Sequence, residues 1–221
     1  MRTLGRVLLV ALPWVLRRPL LNWLYGYSLH RACRIDRAWV FPKTLTMKAG
    51  AQIGAFTVVK GLNRLELGEH ARIGRLNWIS AYPSDTPPHF MHLPERRPEL
   101  VLGDHAAITN RHIIDCTEHV SIGRFSTVAG FRSQILTHSI DLRASRQDAK
   151  AITIGDYCFV GTASTLLGGS ALPDFSVLAA HSLLNDAYSE PRTLYAGVPA
   201  MPIAALAPDW KYFSRSRGFV T

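Results

Sequence analysis

Apolar residues recur at every sixth position over most of the chain, in runs separated by two-residue shifts of phase or by longer interruptions. The runs are Phe41, Met47, Ile53 and Val59; Leu67, Ile73 and Ile79; Leu102, Ile108 and Ile114; Ile122 and Val128; and Ile154, Val160, Leu166, Leu172 and Leu178. A period of six fits neither an α-helix, with 3.6 residues per turn, nor a simple alternating strand. It predicts a coil with three flat faces, each made of one short strand and one corner. The periodic residues point inward and stack on those of the next coil.

Such a solenoid buries its core only between stacked neighbours, so it needs several coils and protected ends. We therefore expect an all-β fold, a parallel β-helix over residues 38–186, with an N-terminal helical segment over 1–37 and a C-terminal extension over 187–221. The period alone does not define the handedness of the coil. Two loops, 80–100 and 136–151, interrupt the repeat. Loops on a rigid scaffold are where binding and catalysis are expected.

The N-terminal segment contains ten apolar residues, 7–16 (VLLVALPWVL), between Arg2 and Arg6 on one side and Arg17 and Arg18 on the other. This stretch is too short to span a bilayer. A cleavable signal peptide would carry small residues where Arg17 and Arg18 stand, which argues against one. Two interpretations stay open. The segment is a helix on the inner face of the cytoplasmic membrane, or it packs against the body of the protein or another subunit.

The formal net charge of +9 is spread along the chain without the basic run of a nucleic-acid-binding arm, so we expect no nucleic acid partner. It fits an anionic ligand, an anionic membrane surface or simple solubility.

Cys33, Cys116 and Cys158 lie far apart and form no CxxC pair, which suggests neither a disulfide framework nor a zinc knuckle. A reducing, cytoplasmic setting fits best.

Residues 152–172 (ITIGDYCFVGTASTLLGGSAL) and 195–200 (YAGVPA) resemble the hexapeptide-repeat acyltransferases. More narrowly, they resemble the galactoside, maltose and nodulation-type sugar O-acetyltransferases. The resemblance is strong over about 102–203 and weaker before it. It implies a left-handed parallel β-helix, a homotrimer with active sites between subunits, and acetyl-CoA as the donor substrate, with no metal.

The resemblance also implies that His138, in the second loop, is the general base. A neutral imidazole would take the proton of an acceptor hydroxyl as that hydroxyl attacks the thioester carbonyl; the alternative is an exposed loop histidine. Asp141, three residues later, could hold the imidazole in one tautomer, and so could a backbone carbonyl. Asn110 or Asp115 lies near the position of an acceptor-binding asparagine in relatives, although either could instead close a turn.

For the donor, the resemblance implies that the pantetheine arm contacts the backbone of Thr162, Ala163 and Ala180. Gly197 and Pro199 would shape the end of its groove. Relatives often carry basic residues for the CoA phosphates where this chain has Asp186 and Met201. Lys211, together with Arg215 and Arg217, could replace them if the C-terminal tail folds back; the alternative is a solvated tail.

The leading interpretation is an O-acetyltransferase that moves acetyl from acetyl-CoA to a sugar hydroxyl in surface-polysaccharide or glycan biosynthesis. The enzyme would be cytoplasmic, or peripheral at the inner face of the cytoplasmic membrane. Alternatives are N-acylation of an amino sugar or small amine, a zinc-binding trimer, and a non-catalytic scaffold. The zinc trimer is disfavoured because His105, His112 and His119 recur at seven, out of step with the coil. We expect the loop over 82–97, with its prolines and histidines, to shape the pocket for a small-molecule or glycan acceptor.

Overall fold

The computed structural model describes residues 3–85, 89–218 and 220 of the 221-residue chain. Arg2 of the N-terminal segment, and Pro87 and Pro88 of the first interrupting loop, lie outside the described residues. Strands enter three long sheets in rotation, so that each sheet takes every third strand of the coil, and within each sheet the solenoid strands are parallel. The chain therefore forms the parallel β-helix that the six-residue period predicts.

The three sheets are the faces of a prism, and the strand bounds of each follow in order along its axis. The first face contains Ser28–Leu29, Thr44–Met47, Arg64–Leu67, Glu99–Leu102, Val120–Ile122, Ile152–Ile154 and Ala171–Leu172. The second face contains Arg34–Ile35, Gln52–Ile53, Arg72–Ile73, Ala107–Ile108, Thr127–Val128, Phe159–Val160, Val177–Leu178, Thr193–Gly197 and Ala200–Ala205. The third face contains Trp39–Phe41, Val58–Lys60, Trp78–Ser80, Ile113–Asp115, Gln134–Leu136, Thr165–Leu167 and Leu183–Leu184.

The core consists of columns of aliphatic side chains that point inward from each face. On the third face, strand register places Val59, Ile79, Ile114 and Ile135 directly above one another, and all four are buried. Phe41, a member of the predicted inward set, departs from this column. Register pairs it with an outward lysine instead, and its ring packs beneath the N-terminal helices. The core thus follows the six-residue period over all but its first step.

One corner of the prism carries a ladder of rings that the sequence did not predict. At the turn from the first to the second face, five successive coils place a ring in the left-handed backbone region: His70, His105, Phe125, Tyr157 and Phe175. Neighbouring ring centroids are 5.1, 4.8, 4.7 and 5.4 Å apart, and all four pairs are stacked. Neighbouring strands lie about 4.8 Å apart, which is also a favourable separation for stacked rings. The coil spacing therefore creates the ladder.

Two helices, α1 (Thr3–Ala11) and α2 (Trp14–Tyr25), cover one end of the prism. Gly26 ends α2 with φ 66°, and the first solenoid strand follows at Ser28–Leu29. Coils therefore begin inside the segment that we expected to be helical up to residue 37. No helix in the described part of the chain is long and apolar enough to cross a membrane.

The C-terminal extension begins as a further part of the solenoid. Thr193–Gly197 joins the second face beside Val177–Leu178, and Ala200–Ala205 returns antiparallel to it at the edge. The tail then folds back as a 3₁₀ helix, Lys211–Ser214. Phe213 is buried there, and the hydroxyl of Tyr212 donates to the carbonyl of Cys158 at 3.0 Å.

His112 is built into the wall of the core as a neutral ring. Its Nδ1 accepts the N–H of Ser133 at 3.2 Å, and its Nε2 lies 2.9 Å from the hydroxyl of Thr109. Burial lowers its pKa to about 4, because the imidazolium would be desolvated there. Its role is structural.

Replacing Ile114 with alanine should lower the free energy of unfolding by about 2–5 kcal/mol, because it empties part of a column that neighbouring coils enclose. The matched control is Ile113→Ala. This neighbour has the same side chain but faces outward and is 50% exposed, so its loss should be about 0.5 kcal/mol or less. Urea unfolding of both variants at equal protein concentration measures the difference. Equal losses would contradict the assignment of inward and outward positions.

The pH dependence of stability should carry the signature of His112. Above about pH 6.5, the ordinary pKa of histidine, the ring is neutral in both folded and unfolded chains. As pH falls from there through the folded pKa of about 4, the unfolded chain binds a proton that the folded one resists. Stability should therefore fall across this window by on the order of 3 kcal/mol. In His112→Gln, unfolding measured over the same range should lose this component of the slope; an unchanged slope would rule it out.

Candidate active site

Both interruptions of the repeat leave the prism at the same corner, the turn from the third face to the first. The first leaves after Trp78–Ser80 and the second after Gln134–Leu136, with the strand Ile113–Asp115 between them. Two coil steps span about 10 Å, so segments that are distant in sequence emerge side by side. The second is a β-hairpin in which His138–Asp141 pairs with Arg146–Ala149.

His138 is the first residue of this hairpin, and its backbone is anchored to the solenoid. Its N–H donates to the Oδ2 of Asp115 at 2.9 Å. Asp115 lies on the neighbouring coil, where its Oδ1 also accepts the hydroxyl of Thr117 at 2.6 Å. The hairpin therefore starts from a fixed point although the His138 side chain is exposed.

The imidazole of His138 is held from two sides. Its Nε2 is hydrogen-bonded to the Oε1 of Gln147 on the opposite hairpin strand. Its ring meets Phe90 of the first loop edge-on, with centroids 5.6 Å apart. Because an amide oxygen only accepts hydrogen bonds, Nε2 is the donor in this arrangement, and in the neutral ring Nδ1 is then the nitrogen that carries the lone pair. The ring is thus oriented with one basic nitrogen.

Asp141 does not orient His138, contrary to our expectation. Its Oδ1 accepts the N–H groups of Arg143 and Ala144 at 3.0 and 3.1 Å, and its Oδ2 lies 3.7 Å from the guanidinium of Arg146. In a strand, side chains an odd number of residues apart point to opposite sides. Asp141 consequently shapes the hairpin tip, and Gln147 contacts the imidazole in its place.

The first loop is fastened by Arg96, a buried residue that the sequence did not single out. Its guanidinium donates to the carbonyls of Tyr82 and Thr117, both at 2.6 Å, and of Pro83 at 2.9 Å. It also lies over the ring of Phe90 at 4.4 Å. Burial lowers the pKa of Arg96, and nearby carboxylates oppose this shift. Arg96 thereby positions Phe90, the ring that packs against His138.

A cleft of about 550 Å³ lies between the loop and the hairpin. Its lining combines aromatic, aliphatic, imidazole and cationic groups: His89, Phe90, Met91, His92, Ile140, Ser145, Arg146 and Gln147. Because Gln147 lies in its wall, the cleft adjoins His138. It can hold a small polar molecule.

The two acceptor-binding candidates lie at different corners. Asn110 is at the turn from the second face to the third, where its Oδ1 accepts the N–H of Arg75 at 2.8 Å. Asn110 therefore closes a turn, which was the alternative to acceptor binding in the sequence analysis. Asp115 lies beside His138, but its carboxylate already accepts hydrogen bonds from the protein. The structure therefore brings Asp115 to the candidate base and leaves Asn110 at the other end of the third face.

Thr162, Ala163, Ala180, Gly197 and Pro199 lie together along one corner, the turn from the second face to the third. The N–H of Ala163 donates to the carbonyl of Phe131 one coil earlier, and the N–H of His181 donates to the carbonyl of Thr162, both at 3.0 Å. Tyr195 pairs with Leu178, so Gly197 and Ala180 each lie two residues beyond that pair. We call this set the small-residue corner.

At Ala163 this corner has a small side chain where other coils have large ones. Ala163 shares the left-handed conformation of the residues stacked at the same turn, with φ 56°, but these other residues are large: Leu76, Arg111, Arg132 and His181. Gly197 and Pro199 are exposed on the turn between the last two strands of the second face. An extended ligand arm can therefore approach the backbone here.

Within one chain, the small-residue corner and His138 do not meet. The corner precedes the third-face strand Thr165–Leu167, whereas His138 follows the neighbouring strand Gln134–Leu136 at its far end. Three strand residues span about 10 Å. The two groups of residues therefore lie on different edges of the prism.

The tail folds back, as one interpretation expected, and of its three candidate cations Lys211 and Arg217 are exposed whereas Arg215 is half-buried. The guanidinium of Arg215 donates to the carbonyls of Phe125 and Tyr212 and stacks on the Tyr212 ring at 3.8 Å. Arg215 is therefore engaged within the protein. Lys211 is exposed at the start of the 3₁₀ helix.

The remaining histidines and cysteines that we considered have structural positions. His105, His112 and His119 lie at three different corners of one coil. Burial raises the pKa of the Cys158 thiol to about 12 and that of Cys116 well above its usual value. Within residues 3–85, 89–218 and 220, no three His, Cys, Asp or Glu side chains come close enough to hold a metal ion.

Solved structures with a similar fold include AntD, an N-acyltransferase from Bacillus cereus. Its complex with dTDP-4-amino-4,6-dideoxyglucose and coenzyme A matches with TM-score 0.58 and 12% identity, over 86% of this chain and 89% of that one. A complex with dTDP and 3-hydroxybutyryl-CoA matches with TM-score 0.54 and 12% identity, over 87% and 89%. A hexapeptide-repeat-containing acetyltransferase from Vibrio cholerae has TM-score 0.46 and 21% identity, over 92% and 88%.

No protein-family model matches the chain, and no curated protein sequence does. The likeness to AntD, at 12% identity, is one of fold. It agrees with the six-residue period and with the three parallel faces. The chain has the left-handed parallel β-helix fold of the hexapeptide-repeat acyltransferases.

Proposed function

We propose that the protein is an acyl-CoA-dependent acyltransferase that moves acetyl from acetyl-CoA to a hydroxyl group of a sugar. The observation that carries this proposal is the hydrogen bond between Nε2 of His138 and Gln147, which leaves Nδ1 of the neutral ring as the proton acceptor. This histidine adjoins a cleft on a scaffold shared with acyltransferases. The small-residue corner supplies a second feature, an open stretch of backbone for the donor.

In the proposed reaction, Nδ1 of His138 takes the proton of the acceptor hydroxyl as its oxygen attacks the thioester carbonyl. The carbon–sulfur bond of the tetrahedral intermediate then breaks. The CoA thiolate leaves and recovers the proton from the imidazolium, so that ester and CoA thiol are the products. Gln147 holds the ring in the required tautomer throughout, without a negative charge beside it.

The separation of base and donor corner within one chain supports a homotrimer. If the small-residue corner of one subunit faces the hairpin of its neighbour, the pantetheine arm reaches His138 across the interface. Thr162, Ala163 and Ala180 would then contact that arm, with Gly197 and Pro199 at its end. Lys211 is the exposed tail cation that we assign to the CoA phosphates.

The lining of the cleft favours a sugar as acceptor. Its apolar side chains stand beside hydrogen-bonding groups, the combination that orients small polar ligands in protein sites. Arg146 adds a cation for an anionic substituent such as a phosphate. An activated or lipid-linked sugar of surface-polysaccharide or glycan biosynthesis fits these groups.

N-acylation of an amino sugar is the second candidate, because the AntD structures are of an N-acyltransferase and one holds an amino-sugar nucleotide. A free amine loses its proton more easily than a hydroxyl and depends less on a base. A non-catalytic scaffold would not need an oriented imidazole beside a cleft.

His138→Ala should lower kcat/KM by about 10²–10⁴-fold with a hydroxyl acceptor. The measurement is release of CoA thiol from acetyl-CoA against a panel of sugars and amino sugars. Ser139→Ala, an exposed neighbour on the same strand, is the matched control and should retain activity. A much smaller loss with amino sugars would favour N-transfer. Undiminished activity in His138→Ala would refute the assignment of the base.

Substitutions can show whether Gln147 or Asp141 orients the imidazole of His138. Gln147→Ala should lower kcat roughly tenfold or more, since the ring is freed to adopt the wrong tautomer. Asp141→Asn keeps the acceptor oxygen of the hairpin turn and should change kcat little. Gln147→Glu places a carboxylate beside the ring, which favours the imidazolium, so the acid limb of the kcat/KM profile should move to higher pH. A profile that does not move would show that Gln147 acts only on the fold.

A further inference from the structure

The N-terminal helices turn their apolar sides outward. On α2, Val15 and Trp23 are 76% and 79% exposed, and Leu16 and Leu24 are exposed as well. On α1, Leu4 is 71% exposed, and the same surface continues along the helix. We call this surface the apolar cap: Leu4, Val7, Leu8, Val15, Leu16, Trp23 and Leu24.

This orientation is fixed by polar groups that point inward. Arg17 is buried, and its guanidinium donates to the carbonyls of Val10, Ile35 and Asp36. The indole of Trp14 donates to the carbonyl of Cys33 at 2.9 Å. A helix that lies on a protein in water normally has its arginine outside and its leucines inside. Here Leu9 and Leu21 are buried together with Arg17, while seven other large apolar side chains of the two helices are exposed. This outer surface requires an apolar contact.

The apolar cap includes a depression suited to hydrocarbon. About 520 Å³ of space lies among Leu12, Leu16, Pro19, Leu20 and Trp23. Soluble proteins rarely leave a contiguous patch of this kind in water. At 9 and 12 residues, each helix is too short to cross a bilayer, so a lipid surface would contact the cap from one side.

Charge distinguishes a lipid surface from a protein partner. No acidic residue precedes Asp36 in the chain. Five arginines occur among the described residues up to that point: Arg6, Arg17, Arg18, Arg31 and Arg34. Arg31 is exposed and Arg18 is half-buried. An apolar face with basic and aromatic residues beside it is the composition of segments that lie in the headgroup region of anionic membranes.

We propose that the apolar cap docks the protein on an anionic lipid bilayer as a peripheral anchor. The cap closes one end of the prism, whereas subunits of a side-by-side trimer meet along its sides. Three caps in the proposed trimer would therefore lie in one plane and bind together. A lipid-linked acceptor would diffuse in the same surface. The docking itself needs neither His138 nor the donor corner.

The test is co-sedimentation of the full chain with vesicles of phosphatidylcholine containing 30% phosphatidylglycerol, compared with phosphatidylcholine alone. We expect binding to the anionic vesicles that weakens as salt rises. The double variant Leu16→Ser and Trp23→Ser should reduce binding at least tenfold. Ile113→Ser with Phe131→Ser, which removes two exposed apolar side chains from the solenoid, should bind like the wild type.

Absence of wild-type binding to both vesicle types would overturn the proposal. So would a cap variant that binds normally, or one that changes the molar mass measured by light scattering, since the cap would then contact another copy of the chain. His138→Ala should bind vesicles like the wild type. This result would keep a failure of the proposed reaction distinguishable from a failure of the membrane contact.

Discussion

Stacking of one coil on the next at the spacing of hydrogen-bonded strands is the constraint on which the rest of the structure depends. It places Ile79, Ile114 and Ile135 in one buried column. It also sets corner residues above one another, as in the ring ladder and the small-residue corner. Because every coil is enclosed by two neighbours, extra residues can only leave the prism at a corner. Both interruptions do so at the same corner, and this shared exit creates the cleft.

Much of the fold follows from the sequence because an inward position every six residues is a direct consequence of three short faces. Leu29 and Ile35 continue the period backwards from Phe41, yet the apolar, arginine-rich stretch before them led us to expect a helix to residue 37. Phe41 itself leaves the column because the helices cover it. The period is the same for either hand, so the left-handed coil was predicted from the family resemblance alone. The ring ladder could not be predicted, since ring stacking needs the coil register.

The candidate site was predictable only in part. His138 came from resemblance to a family, and the structure places it beside a cleft. Asp141 was chosen for its closeness in sequence, which fails in a strand because odd separations reverse the side. The roles of Gln147 and Arg96 could not be predicted from the sequence. Their contacts depend on the register of the hairpin and on a loop that folds back over another coil. Asn110 and Asp115 are both polar residues close to the expected position in the sequence. Only the structure shows that they lie at opposite ends of the third face and that Asp115 adjoins the base.

The choice of an amide rather than a carboxylate beside His138 has a physical consequence. A carboxylate would orient the ring equally well, but it would stabilise the imidazolium, so that at a given pH a smaller fraction of the rings would be neutral and able to accept a proton. It would also repel an anionic acceptor, whereas the amide of Gln147 carries no charge. Arg146, which also lines the cleft, lies 3.7 Å from Asp141 at the exposed hairpin tip. The carboxylate of Asp115 contacts His138 at its backbone N–H and not at its ring. An oriented imidazole near a cleft whose lining includes Arg146 suits the phosphate-bearing acceptor that we propose.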